Sequence, residues 1–199
     1  MAVRIAVLAS GGGTNLQALI DFISDRGELA AGQVVLVASN RKDAGALDRA
    51  ASAGIAAEVF DATDDGSSLM RALETHRIEL LVLAGYMKRI PSIVIRAFHR
   101  RIINVHPGLL PEFGGSGMYG SRVHAAVLEA GARTTGVTAH FVDDEFDHGP
   151  LIARWLIPVH ENDTAESLAG RVLQVEHVVY PRVVDMVASL NAMNFFADF

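Results

Sequence analysis

Apolar residues run through the chain in two alternating rhythms. Short blocks at residues 3–9, 34–38, 56–60, 79–84 and 101–105 are of strand length and carry few charges, the pattern of strands covered on both faces. Between them, apolar positions recur three and four apart. Leu16, Leu19, Ile20 and Ile23 follow the first block, and shorter stretches at 43–53, 69–76 and 92–99 read as helices, the first of these closed by Gly54. Strand and helix in strict alternation predict a parallel sheet.

The rhythm changes after residue 105. Residues 122–130 predict a helix closed by Gly131. Residues 136–142 and 151–159 read as strands, and the gap between them is too short for a helical crossover, so they are expected to pair antiparallel. Residues 164–190 predict one long helix, with Leu168, Val172, Val175 and Val179 on its core face and a kink at Pro181. The expected fold class is α/β, a single Rossmann-like domain. Its sheet is mostly parallel and twisted, with an antiparallel C-terminal addition and helices on both faces. The domain spans residues 1–190, with halves at about 1–100 and 101–190. A tail at 191–199 follows, and its Phe195, Phe196 and Phe199 are expected to pack within the chain.

Composition narrows the class. Of 199 residues, 50% are apolar and 20% charged, as in a soluble globular domain. No apolar block approaches the roughly 20 residues that cross a bilayer, and Met1 leads straight into a strand without a leader pattern. The expectation is a cytoplasmic protein with no membrane partner. The chain has no cysteine, which excludes a disulfide framework, a cysteine-rich zinc site and a thiol nucleophile. The net charge of −6, with no basic stripe, argues against a nucleic-acid partner. An anionic substrate must then be held by local donors.

The first candidate for that task is the turn Ser10-Gly11-Gly12-Gly13-Thr14-Asn15, between strand and helix. Glycines allow close backbone approach, and the free amides at a helix start favour a phosphate. The turn has no Gly-Lys-Ser/Thr, so it is not a Walker loop. Leu16 stands where a dinucleotide fingerprint needs its third glycine, and strand two ends in Ser39-Asn40-Arg41 rather than an acidic residue. A phosphate monoester fits better than a dinucleotide, and a plain tight turn is the alternative.

The second candidate is Asn104-Val105-His106-Pro107 at the end of a buried strand. Alternation puts Asn104 and His106 on one side. Two readings stay open for them: an acid/base and oxyanion-stabilising unit, or a satisfied histidine beside a proline turn. Nearby in sequence, the segment 107–120 is glycine-rich, and its length points to a functional loop. Residues 143–148 present Asp143, Asp144, Glu145, Asp147 and His148, with no second ligand cluster to make a metal site. A carboxylate from this loop beside His106 would be expected to raise the imidazole pKa.

These segments occur in a telling order. Ser-Gly-x-Gly-Thr-Asn is followed by Ser-Asn-Arg, Leu-Ala-Gly-Tyr-Met and Asn-Val-His-Pro-Gly-Leu-Leu-Pro. Gly-Val-Thr-Ala-His-Phe-Val, an Asp-x-Gly-Pro and Val-Glu-His-x-x-Tyr-Pro complete the set. From residue 3 to about 185 the chain resembles the phosphoribosylglycinamide formyltransferase family. The resemblance implies transfer of the formyl group of 10-formyltetrahydrofolate, a co-substrate, to the amine of glycinamide ribonucleotide in purine biosynthesis, with no metal. It implies Asn104, His106 and Asp147 as catalytic residues, and Gly12, Gly13, Thr14 and Asn15 with Glu176 on the phosphate and nucleotide side. Met87, Lys88 and Arg89, with the backbone of Val142, Asp143 and Asp144, match the folate pocket. Asn104 reaches into that pocket as well, and Ile90 and Leu83 could supply apolar wall there. The partners so implied are small molecules only, to a monomer or a homodimer.

Three departures from the family pattern stand out. Gly108 replaces a usual serine, the 111–120 loop is longer than in many relatives, and Met87-Lys88-Arg89 stands where Met-Arg is common. Other formyl-folate enzymes, a methionyl-tRNA formyltransferase or a hydrolase, share the Asn/His/Asp logic but carry further domains. A non-catalytic phosphosugar-binding module is the rival from another class, and a nicotinamide dehydrogenase is disfavoured by Leu16 and Arg41.

Overall fold

Side chains of the first strand alternate between two cores, and this sets the layering of the whole molecule. Ile5 and Val7 face one core, while Ala6 and Leu8 face the other, and all four are fully buried. The computed structural model describes residues 2–193. Along the chain it contains β1 (Val3–Leu8), α1 (Thr14–Arg26), a 3-10 turn at Gly27–Leu29, β2 (Gly32–Ser39), α2 (Gly45–Ser52) and β3 (Ala56–Val59). Then come α3 (Ser67–Thr75), β4 (Leu80–Leu83), α4 (Ser92–Ala97), β5 (Ile102–His106) and α5 (Ser121–Glu129). β6 (Thr134–Phe141), β7 (Leu151–Pro158) and α6 (Ala165–Ala192) close the fold. The tail phenylalanines Phe195, Phe196 and Phe199 lie outside the described residues.

One seven-stranded sheet has the order β3-β2-β1-β4-β5-β6-β7. β1 to β5 are parallel, and β6 and β7 are antiparallel to their neighbours, as the short 143–150 gap requires. The order reverses direction between β1 and β4, so the crossovers before and after that reversal fall on opposite faces. Buried residues of α1, α2, α5 and α6 belong to one core, and those of α3 and α4 to the other. Beyond α4, the second face of β5 and β6 is covered by the loop after β5 instead of a helix. Thr138 on β6 ties that loop down, donating to the Gly108 carbonyl at 2.7 Å and accepting from the Leu110 amide at 3.2 Å.

The long helix starts one residue later than its sequence pattern predicts, because Thr164 is its cap. Thr164 Oγ1 accepts from the Ser167 amide, and Ser167 Oγ accepts from the Thr164 amide. Leu168, Val172 and Val179 are buried on its inner face and Val175 is partly so. The helix continues through Pro181 as one element, although proline has no N–H for the carbonyl four residues back. Just before it, Tyr180 is fully buried, with its hydroxyl 2.9 Å from the Leu83 carbonyl and 3.1 Å from that of Ile103. The helix is thereby pinned to the carboxyl end of β4 and to the start of β5.

A buried donor lost without a replacement costs about 1–3 kcal/mol. Tyr180→Phe is therefore expected to lower the melting temperature by about 2–4 °C per kcal/mol lost in a chain of this size, measured by calorimetry.

Candidate active site

The turn after β1 is built so that only glycine fits at its end. Gly13 has φ 73°, and a Cβ there would stand 2.8 Å from Ala46 Cα. Gly13 caps α1, whose first-turn amides have no partner inside the helix. Neighbouring elements brace the turn. The Ala46 amide donates to the Gly11 carbonyl at 3.1 Å, and Arg49 Nε to that of Gly12 at 2.7 Å. Ser10 Oγ donates to Asn40 Oδ1 at 2.7 Å and accepts from the Met87 amide at 3.1 Å. The ends of β1, β2 and β4 are so locked together.

A cleft of about 630 Å³ opens beside this turn, along the carboxyl ends of β4 and β5. Asn104, His106 and Asp147 all line it. So do Met87, Lys88, Arg89, Ile90, Val142, Asp143 and Asp144, and from the other expected group Asn15 and Glu176. Gly12, Gly13 and Thr14 lie outside its lining. Asn15 Nδ2 donates to Glu176 Oε2 at 2.6 Å, joining the start of α1 to α6. Burial holds the Glu176 carboxyl above its ordinary pKa, and the bond from Asn15 offsets only part of that.

The three separate side chains meet around Asp147. Its backbone is left-handed, with φ 56°, a strained conformation for a residue with a Cβ. Oδ2 accepts from the Gly115 amide at 3.1 Å and stands 3.4 Å from His106 Nδ1; Oδ1 lies 3.5 Å from His140 Nε2. Asn104 Nδ2 lies 3.1 Å from that same His140 nitrogen, which accepts from Asn104 when unprotonated and donates to Asp147 when protonated, and His140 Nδ1 lies 2.8 Å from the Phe141 carbonyl. His106 Nε2 donates to the Phe113 carbonyl at 2.7 Å. Asp147, although largely buried, is held below the usual carboxylate pKa. Desolvation pushes it up, but the bonds from His140 and Gly115 and the nearby imidazoles outweigh that.

His106 departs from expectation in one respect. Both its ring nitrogens face acceptors, and Asp147 does favour the imidazolium, yet the net pKa is lowered. Desolvation is the largest effect, because the ring is 3% exposed. The free protein thus holds a His106 that is more readily neutral than the sequence argument supposes.

On the opposite loop, Arg89 donates to the Asp144 carbonyl and Ser92 Oγ to Asp144 Oδ1, so both side chains are occupied in shaping residues 143–147. Asp143 is half-buried and bonds within its own loop, to the Glu145 amide and His148 Nδ1. Lys88 is exposed and has no partner among the described residues. Ile90 and Leu83 are both buried and also line the cleft. No group of three or more His, Cys, Asp or Glu among the described residues could hold a metal ion.

His140 is the residue that sequence reasoning passed over. Its signal was available, since β6 pairs Asn104 with His140 and His106 with Thr138, so all four share one face. The Phe113 carbonyl and the Gly115 amide had none, being backbone groups of an irregular loop.

An amide, two imidazoles and a carboxylate converging at the carboxyl edge of an α/β sheet have the form of a group-transfer enzyme's site. The chain belongs to the formyl transferase family, whose model matches residues 3–184. It is 44% identical over 191 residues to the chloroplastic phosphoribosylglycinamide formyltransferase of Arabidopsis thaliana, covering 92% of this chain and 65% of that protein. The corresponding protein of Vigna unguiculata is 43% identical over 188 residues, covering 92% and 60%. Thus the chain spans just under two thirds of the length of these plant relatives. Among solved structures, glycinamide ribonucleotide transformylase 1 from Symbiobacterium toebii superposes with a TM-score of 0.85 at 38% identity, covering 94% of this chain and 88% of that one.

The raised Glu176 pKa has a stability consequence of definite sign. Its folded-state stabilisation belongs to the protonated form, is present at low pH and is lost as pH rises through the folded pKa. Glu176→Gln, which keeps an acceptor for Asn15, is expected to raise the melting temperature at pH 8 measured by calorimetry. At pH 4 the two proteins should melt together.

Proposed function

We propose that the chain transfers the formyl group of 10-formyltetrahydrofolate to the amine of glycinamide ribonucleotide, a step of purine biosynthesis. The observation that carries this reading is the convergence of Asn104, His106 and Asp147 in a cleft that also reaches Asn15 and Glu176. The names of the relatives at 44% and 43% identity support the acceptor and the formyl group, and the folate donor follows from the sequence resemblance. On this reading the half before residue 100 holds the nucleotide phosphate at the Gly12-to-Asn15 amides. The half after it contributes the catalytic residues, and folate lies along 87–90 and 142–144.

The amine nitrogen attacks the formyl carbon and forms a C–N bond, and the carbonyl electrons move to the formyl oxygen. Asn104 Nδ2 has a second hydrogen beyond the one given to His140, and it donates to that oxyanion. His106 assists as imidazolium. Its Nε2–H is engaged by the Phe113 carbonyl, so the 107–120 loop gives up that bond when the ring turns to the substrate. A growing negative charge beside the ring counters the desolvation that lowers its pKa, so the donor strengthens as the transition state forms. Asp147 accepts the proton that the amine must lose. The bond from the carbon to the folate nitrogen then breaks, and that nitrogen takes the proton, so none is left over.

The reading carries a cytoplasmic location, only small-molecule partners and no need of a metal. No helix among the described residues is long and apolar enough to cross a membrane. The two plant relatives are named as chloroplastic proteins.

Folate absorbance with glycinamide ribonucleotide present and absent tests the reaction directly. Turnover only with the nucleotide is the expected result; release of formate without it would mark a hydrolase, and no change would leave a binding module. Asn104→Ala and Asp147→Asn should each lose about 100-fold or more in kcat while nucleotide binding by calorimetry persists. Near-normal kcat in either variant removes its role. Turnover should also be unchanged after treatment with a chelator.

A further inference from the structure

One polar side chain at the cleft is used neither by the fold nor by the chemistry above. His124 stands in the first turn of α5, is 3% exposed and lines the cleft. Its Nδ1 is shielded from solvent and has no partner among the described residues. The preceding residue fixes its neighbourhood: a Cβ on Gly108 would come 2.8 Å from Val123 Cγ1 and 3.1 Å from His106 Nε2. The start of α5 therefore sits against the catalytic strand end. α5 also packs on α6, and from α6 and the start of α1 the cleft takes Ala169, Leu173, Glu176 and Asn15. His124 thus belongs to the wall that carries Glu176, and not to the 87–90 and 142–147 loops.

The unpartnered Nδ1 selects the state of the ring. A proton there would bury an N–H with no acceptor, and a charged ring would add an unpaired cation beside His106. The form that avoids both is neutral and protonated on Nε2, so the ring offers the cleft one N–H donor. Burial, and secondarily the charge of His106, hold its pKa below the ordinary value, in the same direction.

We propose that His124 is a specificity-determining residue for the acceptor substrate, its Nε2–H donating to the amide carbonyl oxygen of the glycinamide group. This rests on the formyl-transfer reading above. In that substrate the amide carbonyl is separated from the attacking amine by one methylene. A donor close to His106 but on the Glu176 wall is therefore at the right place along the molecule. A single neutral N–H suits a neutral carbonyl and is a poor match for a phosphate, which calls for several donors or a charge. His124 holds the acceptor so that its amine faces the formyl carbon, and it takes no part in the proton transfer.

Steady-state kinetics with both substrates varied tests this. His124→Ala should raise KM for glycinamide ribonucleotide about 10-fold, the equivalent of one neutral hydrogen bond. KM for the folate should stay within about 2-fold. His124→Gln places an amide N–H near the same point and should recover most of the loss, which a purely structural role would not permit. An unmoved acceptor KM, a change in folate KM instead, or equal loss in both variants overturns the proposal. Nitrogen-15 NMR of the unmutated protein gives a second measurement independent of variant folding. The His124 ring should be the neutral Nε2–H form at pH 7 and shift on addition of glycinamide ribonucleotide, whereas an Nδ1–H ring or one unmoved by the nucleotide rejects it. Absence of formyl transfer by the unmutated protein sinks the function reading itself. Normal turnover with an indifferent His124 sinks only this assignment.

Discussion

A carboxylate that is nearly enclosed must be surrounded by donors, and the architecture of this site follows from that requirement at Asp147. The β5 imidazole, the β6 imidazole and the Gly115 amide come from three separate stretches of chain, and all are oriented by this one side chain. The left-handed backbone at Asp147 is the cost of aiming it inward from an otherwise exposed acidic loop. Glycine at 114 belongs to the same constraint, because a Cβ there would overlap Leu110 Cδ2 and lie 3.1 Å from the Cβ of Asp147. The glycine-rich loop can reach the carboxylate because it is bare at that point.

Two opposed electrostatic settings share the cleft. Around Asp147, donors outweigh desolvation and the pKa is lowered; at Glu176, desolvation outweighs one amide donor and the pKa is raised. The difference lies in the hydrogen bonds and neighbouring imidazoles that Asp147 has and the more deeply buried Glu176 lacks. His106 shows the same competition with the other outcome for a base. Its carboxylate neighbour pulls one way, and enclosure pulls harder. A site arranged like this stores its charge in Asp147 and leaves the imidazole poised to gain a proton when negative charge develops beside it.

Much of the framework was legible in the sequence because it is written in periodicity. Continuous apolar blocks mark β1, β2, β4 and β5, and the short 143–150 spacing by itself requires the antiparallel return of β7. Alternation alone places Asn104 and His106 together. The same argument applied across the β5–β6 register reaches His140, but register is a long-range property and no local pattern states it. The contacts of the 107–120 loop were unreadable for a different reason. They are made by backbone groups, the Phe113 carbonyl and the Gly115 amide, whose positions depend on how the loop folds and not on what residues it contains. The direction of the His106 shift was missed because pairing can be guessed from sequence, whereas enclosure is known only when the whole chain is packed.

The bond between Asn15 and Glu176 spans 161 positions, nearly the length of the domain. During synthesis, the opening helix leaves the ribosome long before its partner exists. A nascent or truncated chain ending before α6 therefore has the glycine turn and the β5 strand end but lacks the Glu176 side of the cleft. Tyr180 makes the dependence stricter, since the same late helix also holds the end of β4 and the start of β5. One wall of the cleft is consequently completed only when the final helix docks.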